Sequence, residues 1–100
     1  MGMVELIVLF LLNKEDLYGY QLTTMIKELS MNKLVITESS LYPTLYKLLD
    51  NKMISDYEER VGKRRIRVYY HIEEDGKKRL ADLLDDYKTI MEGMELILNS

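Results

Sequence analysis

One hundred residues suffice for one domain with a modest core, and 47% apolar against 31% charged residues excludes a disordered or fibrous chain. The absence of cysteine excludes disulfide staples, thiolate metal sites and cysteine nucleophiles, and fits a reducing compartment such as the cytoplasm. The formal charge of −3 hides a segregation: Arg60, Lys63, Arg64, Arg65 and Arg67 form a cluster of +5 with no acid from Arg60 through Ile72, which leaves the rest of the chain at −8.

The first apolar run, Val4 to Leu12, invites a membrane reading. It is about half the ~20 residues a spanning helix needs. It also contains Glu5, has no basic residue ahead of it and no small-residue cleavage site, so a buried helix and no membrane partner are expected. A helix this apolar on all sides must be covered on more than one, by its own domain and by a second subunit, which makes Val4, Ile7, Val8 and Leu11 candidate interface residues.

Leu17 to Leu29 is amphipathic: Leu22, Met25, Ile26 and Leu29 share a face, opposite Gln21, Thr24, Lys27 and Glu28. Asp16 is placed to cap this helix, and Gly19 offers room for another backbone or side chain to approach closely. In the connection Ser30 to Ile36, the apolar Met31, Leu34 and Ile36 are expected to turn inward.

Thr37 supplies a hydroxyl N-cap for a third helix whose apolar face is Leu41, Leu45, Leu48 and Leu49. Pro43 lies inside this rhythm. The spacing runs straight through it, so an irregular first turn is expected, with a start at Tyr42 as the other reading. From Ile54 to Ile72 the period changes to two. Ile66, Val68, Tyr70 and Ile72 alternate with Arg67, Tyr69 and His71, preceded by a turn at Gly62 and an acidic first arm. A helix with outward polar groups followed by a hairpin with a basic tip reads as the recognition helix and wing of a winged helix-turn-helix.

The last helix is expected from about Gly76 to Leu98. Leu80, Leu83, Tyr87, Ile90, Met94 and Ile97 recur at alternating steps of three and four, and Leu84, Met91 and Leu98 add a second row. That stripe is longer than so small a domain can cover. A partner helix is its natural occupant; folding back on its own core is the alternative. Gly93 marks a bend or a close crossing. The expected fold is mainly α with a small β-hairpin: a winged helix-turn-helix DNA-binding domain over 1–75 and a dimerisation helix over 76–100, in one compact unit.

Ser39, Ser40 and Thr44 can donate to phosphates or base edges, and Lys47 can bind phosphate or a guanine edge. For the serines, helix capping is an equal alternative, and Tyr42 can be core by its ring and contact by its hydroxyl. Catalysis finds no constellation: His71 is the lone histidine and sits in a strand, Asp85 and Asp86 diverge on a helix, and no glycine-rich phosphate loop is present. No metal, cofactor or catalytic residue is expected.

With these residues in view, the chain resembles the PadR family of bacterial and archaeal transcriptional regulators, nearest to its short members with a single C-terminal helix. The motifs are Leu17-Tyr18-Gly19-Tyr20-Gln21-Leu22, Ser40-Leu41-Tyr42-Pro43-Thr44-Leu45, Lys63-Arg64-Arg65 before Val68-Tyr69-Tyr70-His71-Ile72, and Gly76. The resemblance covers Val4 to about Leu98. It implies a homodimer that binds a pseudo-palindromic double-stranded operator and represses transcription. Ser39, Ser40, Tyr42, Thr44 and Lys47 would then approach the major groove, Tyr18 and Gln21 the backbone, and Lys63, Arg64, Arg65 and Arg67 would reach from the wing. Multidrug-binding relatives imply a planar apolar effector in a pore between subunits, here against Tyr87 with Leu84, Met91 and Phe10 as walls; plain packing of these residues in the subunit interface is the alternative reading. The chain departs from the family in having Glu73 where a threonine usually caps the last helix. A module that uses the same surface for protein partners is the alternative function.

Overall fold

The computed structural model describes residues 2–100. In chain order it contains α1 (Met3–Leu12), β1 (Leu17–Tyr18), α2 (Gly19–Leu29), α3 (Glu38–Asp50), β2 (Ile54–Val61), β3 (Arg65–Ile72) and α4 (Glu74–Leu98). The leucine rhythm converges on one core: Val8, Leu9 and Leu12 of α1 meet Leu22 of α2, Leu41, Leu45 and Leu48 of α3, and Leu83 of α4. No polar or charged side chain is buried among the described residues, so burial of apolar area is the main stabilising term.

Local chemistry sets the helix ends. Thr37 caps α3 as expected, its Oγ1 accepting from the Ser40 N–H at 3.3 Å. The helix starts at Glu38 and runs through Pro43. The carbonyl deprived of an N–H partner by that proline is Ser39's, on an exposed first turn where water can serve it. Helix α2 is capped two residues later than expected. Tyr18, not Asp16, is the N-cap residue, and the Gln21 Oε1 accepts from the Tyr18 N–H at 3.1 Å. Asp16 is drawn away by partners on the sheet, described below. In the α2–α3 connection Met31 and Leu34 are exposed, Met31 by 80%, and only Ile36 is half-buried. Met31 and Asn32 both adopt positive φ, and that tight reversal leaves no length for Met31 to return to the core.

The hairpin carries a third strand that the periodicity did not announce. The sheet order is β1-β3-β2, antiparallel throughout, with Leu17 opposite Tyr70 and Tyr18 opposite Tyr69. Strands β2 and β3 pair from Ile54↔Ile72 to Val61↔Arg65. Gly62, Lys63 and Arg64 form the turn, in which Gly62 has φ +74°, a conformation that favours glycine. Tyr70 and Ile72 pack inward with Ile54, while Ile66 and Val68 are exposed because the hairpin runs out past the helices.

Helix α4 begins at Glu74, slightly before the expected Gly76. Glu73 occupies the N-cap position but makes no capping bond. Its carboxylate accepts from the Ser55 hydroxyl at 2.7 Å, and its N–H donates to the Met53 carbonyl at 2.9 Å. Gly76 lies so close to that strand entry that a Cβ there would run into the Met53 carbonyl oxygen and stand 2.8 Å from Ile72 Cγ1. Arg79 then clamps α4 to α1: its Nε donates to Glu5 Oε1 at 2.8 Å and its Nη2 to Oε2 at 3.5 Å. Past Leu84 the helix leaves the body, which stretches the molecule to 60 Å along its longest axis. This corrects part of the expected interface. Val8, Leu11, Leu80 and Leu83 are buried in the chain's own core and offer no surface to a partner, whereas Tyr87, Ile90, Met91, Met94 and Ile97 are exposed.

Candidate nucleic-acid interface

The outward face of α3 is polar because its leucines are all turned inward. Ser39, Ser40, Tyr46 and Lys47 are exposed, and Thr44 is half-buried. The hydroxyls of Ser39 and Ser40 lie 2.9 and 3.3 Å from Thr37 Oγ1, so both belong to the capping cluster and still face solvent. Thr44 and Lys47 border a recess with Gly2, Met3 and Glu5, which places both on the flank of α3 toward α1. The wing stands beside this face, with Lys63, Arg64 and Arg65 exposed and none of its cations in a salt bridge among the described residues. Unpaired cations on an exposed turn are free to meet phosphate.

Tyr42 and Tyr46 of α3 line a cleft against Ile66, Val68 and Tyr70 of the wing. A Cβ at Gly19 would stand 2.5 Å from the Tyr42 hydroxyl, so the missing side chain is what admits that ring. Tyr42 is half-buried, tilted against Tyr46 at 6.0 Å between centroids, and its phenol is raised by burial and then by Glu38 and Tyr46. Tyr70 is pushed up to about 12 by burial, with Tyr42, Tyr46 and Asp56 adding to it. The Tyr18 ring lies 4.5 Å beneath the Arg67 guanidinium and meets Tyr69 edge-on at 5.4 Å. Arg67 therefore differs from the free cations of the tip: it is half-buried and stacked. Gln21 uses its amide oxygen in the α2 cap, at the edge of the same surface.

One constellation escaped the sequence. His71, the lone histidine, has its Nδ1 2.7 Å from Asp16 Oδ1, and the Tyr57 hydroxyl donates to Asp16 Oδ2 at 2.7 Å. Burial raises the Asp16 carboxyl, but the hydrogen bonds from His71 and Tyr57 outweigh it and hold the group below its usual 3.8. The same bond pushes the Tyr57 phenol up to about 12. The two-residue β1 brings Asp16 alongside His71, and a strand so short leaves no period to read.

A second feature is built from other residues. An apolar groove of about 320 Å³ opens between α1, α2 and α4, lined by Ile7, Phe10, Leu29, Leu34, Leu84 and Tyr87 among others. Three of the four expected pore residues share it. Met91 does not, because α4 has by then left the body.

An amphipathic helix presenting a polar face, followed by a hairpin that completes a three-stranded sheet and carries a basic exposed turn, defines a winged helix-turn-helix. The comparisons agree. The sequence matches the profile of the transcriptional regulator PadR-like family over residues 8–82. A Clostridium thermocellum transcriptional regulator superposes with a TM-score of 0.88 at 28% identity, covering 94% of this chain and 91% of that one. Bacillus subtilis PadR in complex with operator DNA gives 0.77 at 31% identity, over 84% of this chain and 48% of that one. A Streptococcus mutans protein gives 0.84 at 31% identity, over 98% and 88%. The chain belongs to the PadR-like family of transcriptional regulators.

Proposed function

We propose that this chain acts as a homodimer that binds a pseudo-palindromic DNA operator and represses transcription by occupying it. The observation that carries this reading is the unpaired basic turn of the wing beside the polar face of α3, on a body of opposite charge. Ser39, Ser40, Tyr42, Thr44 and Lys47, joined by the exposed Tyr46, approach the major groove, Tyr18 and Gln21 lie near the backbone, and Lys63, Arg64, Arg65 and Arg67 reach the flanking phosphates. The Bacillus subtilis relative, solved with operator DNA, supports the same use of the fold here.

Dimerisation follows from α4. Its outer third carries Met94, Ile97 and Leu98 in open solvent, Leu98 by 75%, along the stretch of the helix that extends past the body. Contiguous apolar surface of this kind marks an association site. Tyr87, Ile90, Met91, Met94 and Ile97 form the seam, and Val4, Ile7 and Leu84 extend it toward the body. The apolar groove beside Phe10 and Tyr87 opens onto that seam and is the place for a planar apolar effector.

The test is binding to a duplex taken from the region upstream of the protein's own coding sequence, followed by fluorescence anisotropy at low and high salt. Sedimentation of the free protein is measured alongside. Saturable binding that weakens with salt, by a species of twice the chain mass, is expected. Salt-independent binding, or none by a stable monomer, contradicts the proposal and favours a protein-binding module.

A further inference from the structure

The wing is joined to the body by little backbone, since β1 contributes only the pairs Leu17↔Tyr70 and Tyr18↔Tyr69. One step beyond them the ladder ends and side chains take over. Asp16, on the α1–β1 connection, holds His71 of β3 through Oδ1 and Tyr57 of β2 through Oδ2, both at 2.7 Å. A single carboxylate thus gathers both arms of the hairpin. The contact continues outward, as Tyr57 stacks on Tyr69 at 5.6 Å with an interplanar angle of 12° and Tyr69 meets Tyr18 beneath Arg67. On the other face of the sheet Ile54, Tyr70 and Ile72 are buried in the core.

We infer that Asp16 is a positioning residue for the wing: by fixing His71 and Tyr57 on the outer face, it sets the direction in which the hairpin leaves the body. The buried residues hold one face of the hairpin base; on the other, Asp16 is the tie that joins both arms, beside the Ser55–Glu73 bond and the stack of Arg67 on Tyr18. The lever is long. The tip lies about seven residues from His71, roughly 23 Å at ~3.3 Å per residue, so a tilt of about 5° moves the tip by about 2 Å. That shift alters the geometry of any lysine or arginine contact to a phosphate and costs it rotamer freedom to restore the bond. Because the pair is half-exposed, its contribution to global stability is small, and its effect is on geometry.

The geometric claim stands apart from the DNA-binding reading; only its consequence for affinity rests on that reading, and the experiment separates the two. The chain has no native cysteine, so Asn51→Cys and Lys63→Cys together accept spin labels at the end of α3 and on the wing tip. Electron–electron double resonance without DNA, in labelled protein diluted with unlabelled, reads the distance between them. A narrow distribution is expected in the native background, and a broadened or displaced one in Asp16→Ala and Asp16→Asn, with melting temperatures within about 2 °C of the parent. On the unlabelled proteins, both substitutions should weaken operator binding three- to ten-fold and flatten its salt dependence. An unchanged distance distribution overturns the inference whatever the DNA result. Broadening in a protein that never binds DNA upholds the positioning role and removes the operator reading instead. Unchanged affinity despite broadening overturns the consequence for DNA.

Discussion

Replacing Lys63 and Arg65 together with alanine probes the wing without disturbing the fold. Both side chains are exposed, and neither is paired with a carboxylate among the described residues, so their loss should leave the melting temperature essentially unchanged. The expected effect lies in the salt dependence of binding. Each neutralised phosphate adds about 0.9 to the slope of log affinity against log salt. Two contacts in each of two subunits give about four, so the variant's slope should be shallower by about 3.6. Between about 50 and about 200 mM salt the parent should then lose roughly 150-fold more affinity than the variant does. Anisotropy titrations of a labelled operator duplex at four or more salt concentrations measure this directly. Parallel lines for the two proteins, whatever their offset, would show that the wing does not meet phosphate and would refute the reasoning.

Gly76→Ala should destabilise the chain by about 1–3 kcal/mol or prevent folding, because the new Cβ meets the Met53 carbonyl and not a side chain that can swing away. Gly93→Ala meets nothing within 4 Å and should gain up to ~1 kcal/mol from helix propensity. Thermal melting checks both, and a loss at Gly93 would place a partner's backbone against it. The Tyr57 phenol should titrate near 12 by NMR, and in Asp16→Asn should return toward 10. A folded-state value above the unfolded one means that the bond's contribution is complete below pH 10 and lost as pH rises through about 12. The Asp16 carboxyl behaves in the opposite sense: its depressed value stabilises the fold above 3.8, and that contribution fades as the pH falls below it. A planar cationic dye should quench tyrosine emission by entering the groove beside Phe10 and Tyr87, and Phe10→Ala should weaken it; no quenching at high dye concentration removes the effector site.

The elements with a long period were legible in the sequence. The four leucines of α3 and the alternation of Ile66 to Ile72 each repeat a physical constraint several times, so one exception such as Pro43 does not hide them. The candidate interface was legible for the same reason, since the wing's cations are contiguous and α3's polar positions follow from its apolar ones. Elements without repetition were not. The two residues of β1 carry no period, and the partnership of Asp16 with His71 spans 55 positions that only the sheet register brings together. The division of apolar residues between core and partner was also hidden. Val8 and Phe10 both sit in a run with no polar face, and only packing shows that Val8 is enclosed while Phe10 faces the groove.

The most direct measurement is selection of bound duplexes from a random DNA pool by the intact protein. Two subunits that hold their α3 helices at a fixed separation should enrich an inverted repeat whose half-sites are centred about 34 Å apart, one helical turn, or a multiple of it. Enrichment of a single unrepeated motif, or no enrichment beyond the starting pool, would contradict a two-fold operator-binding dimer.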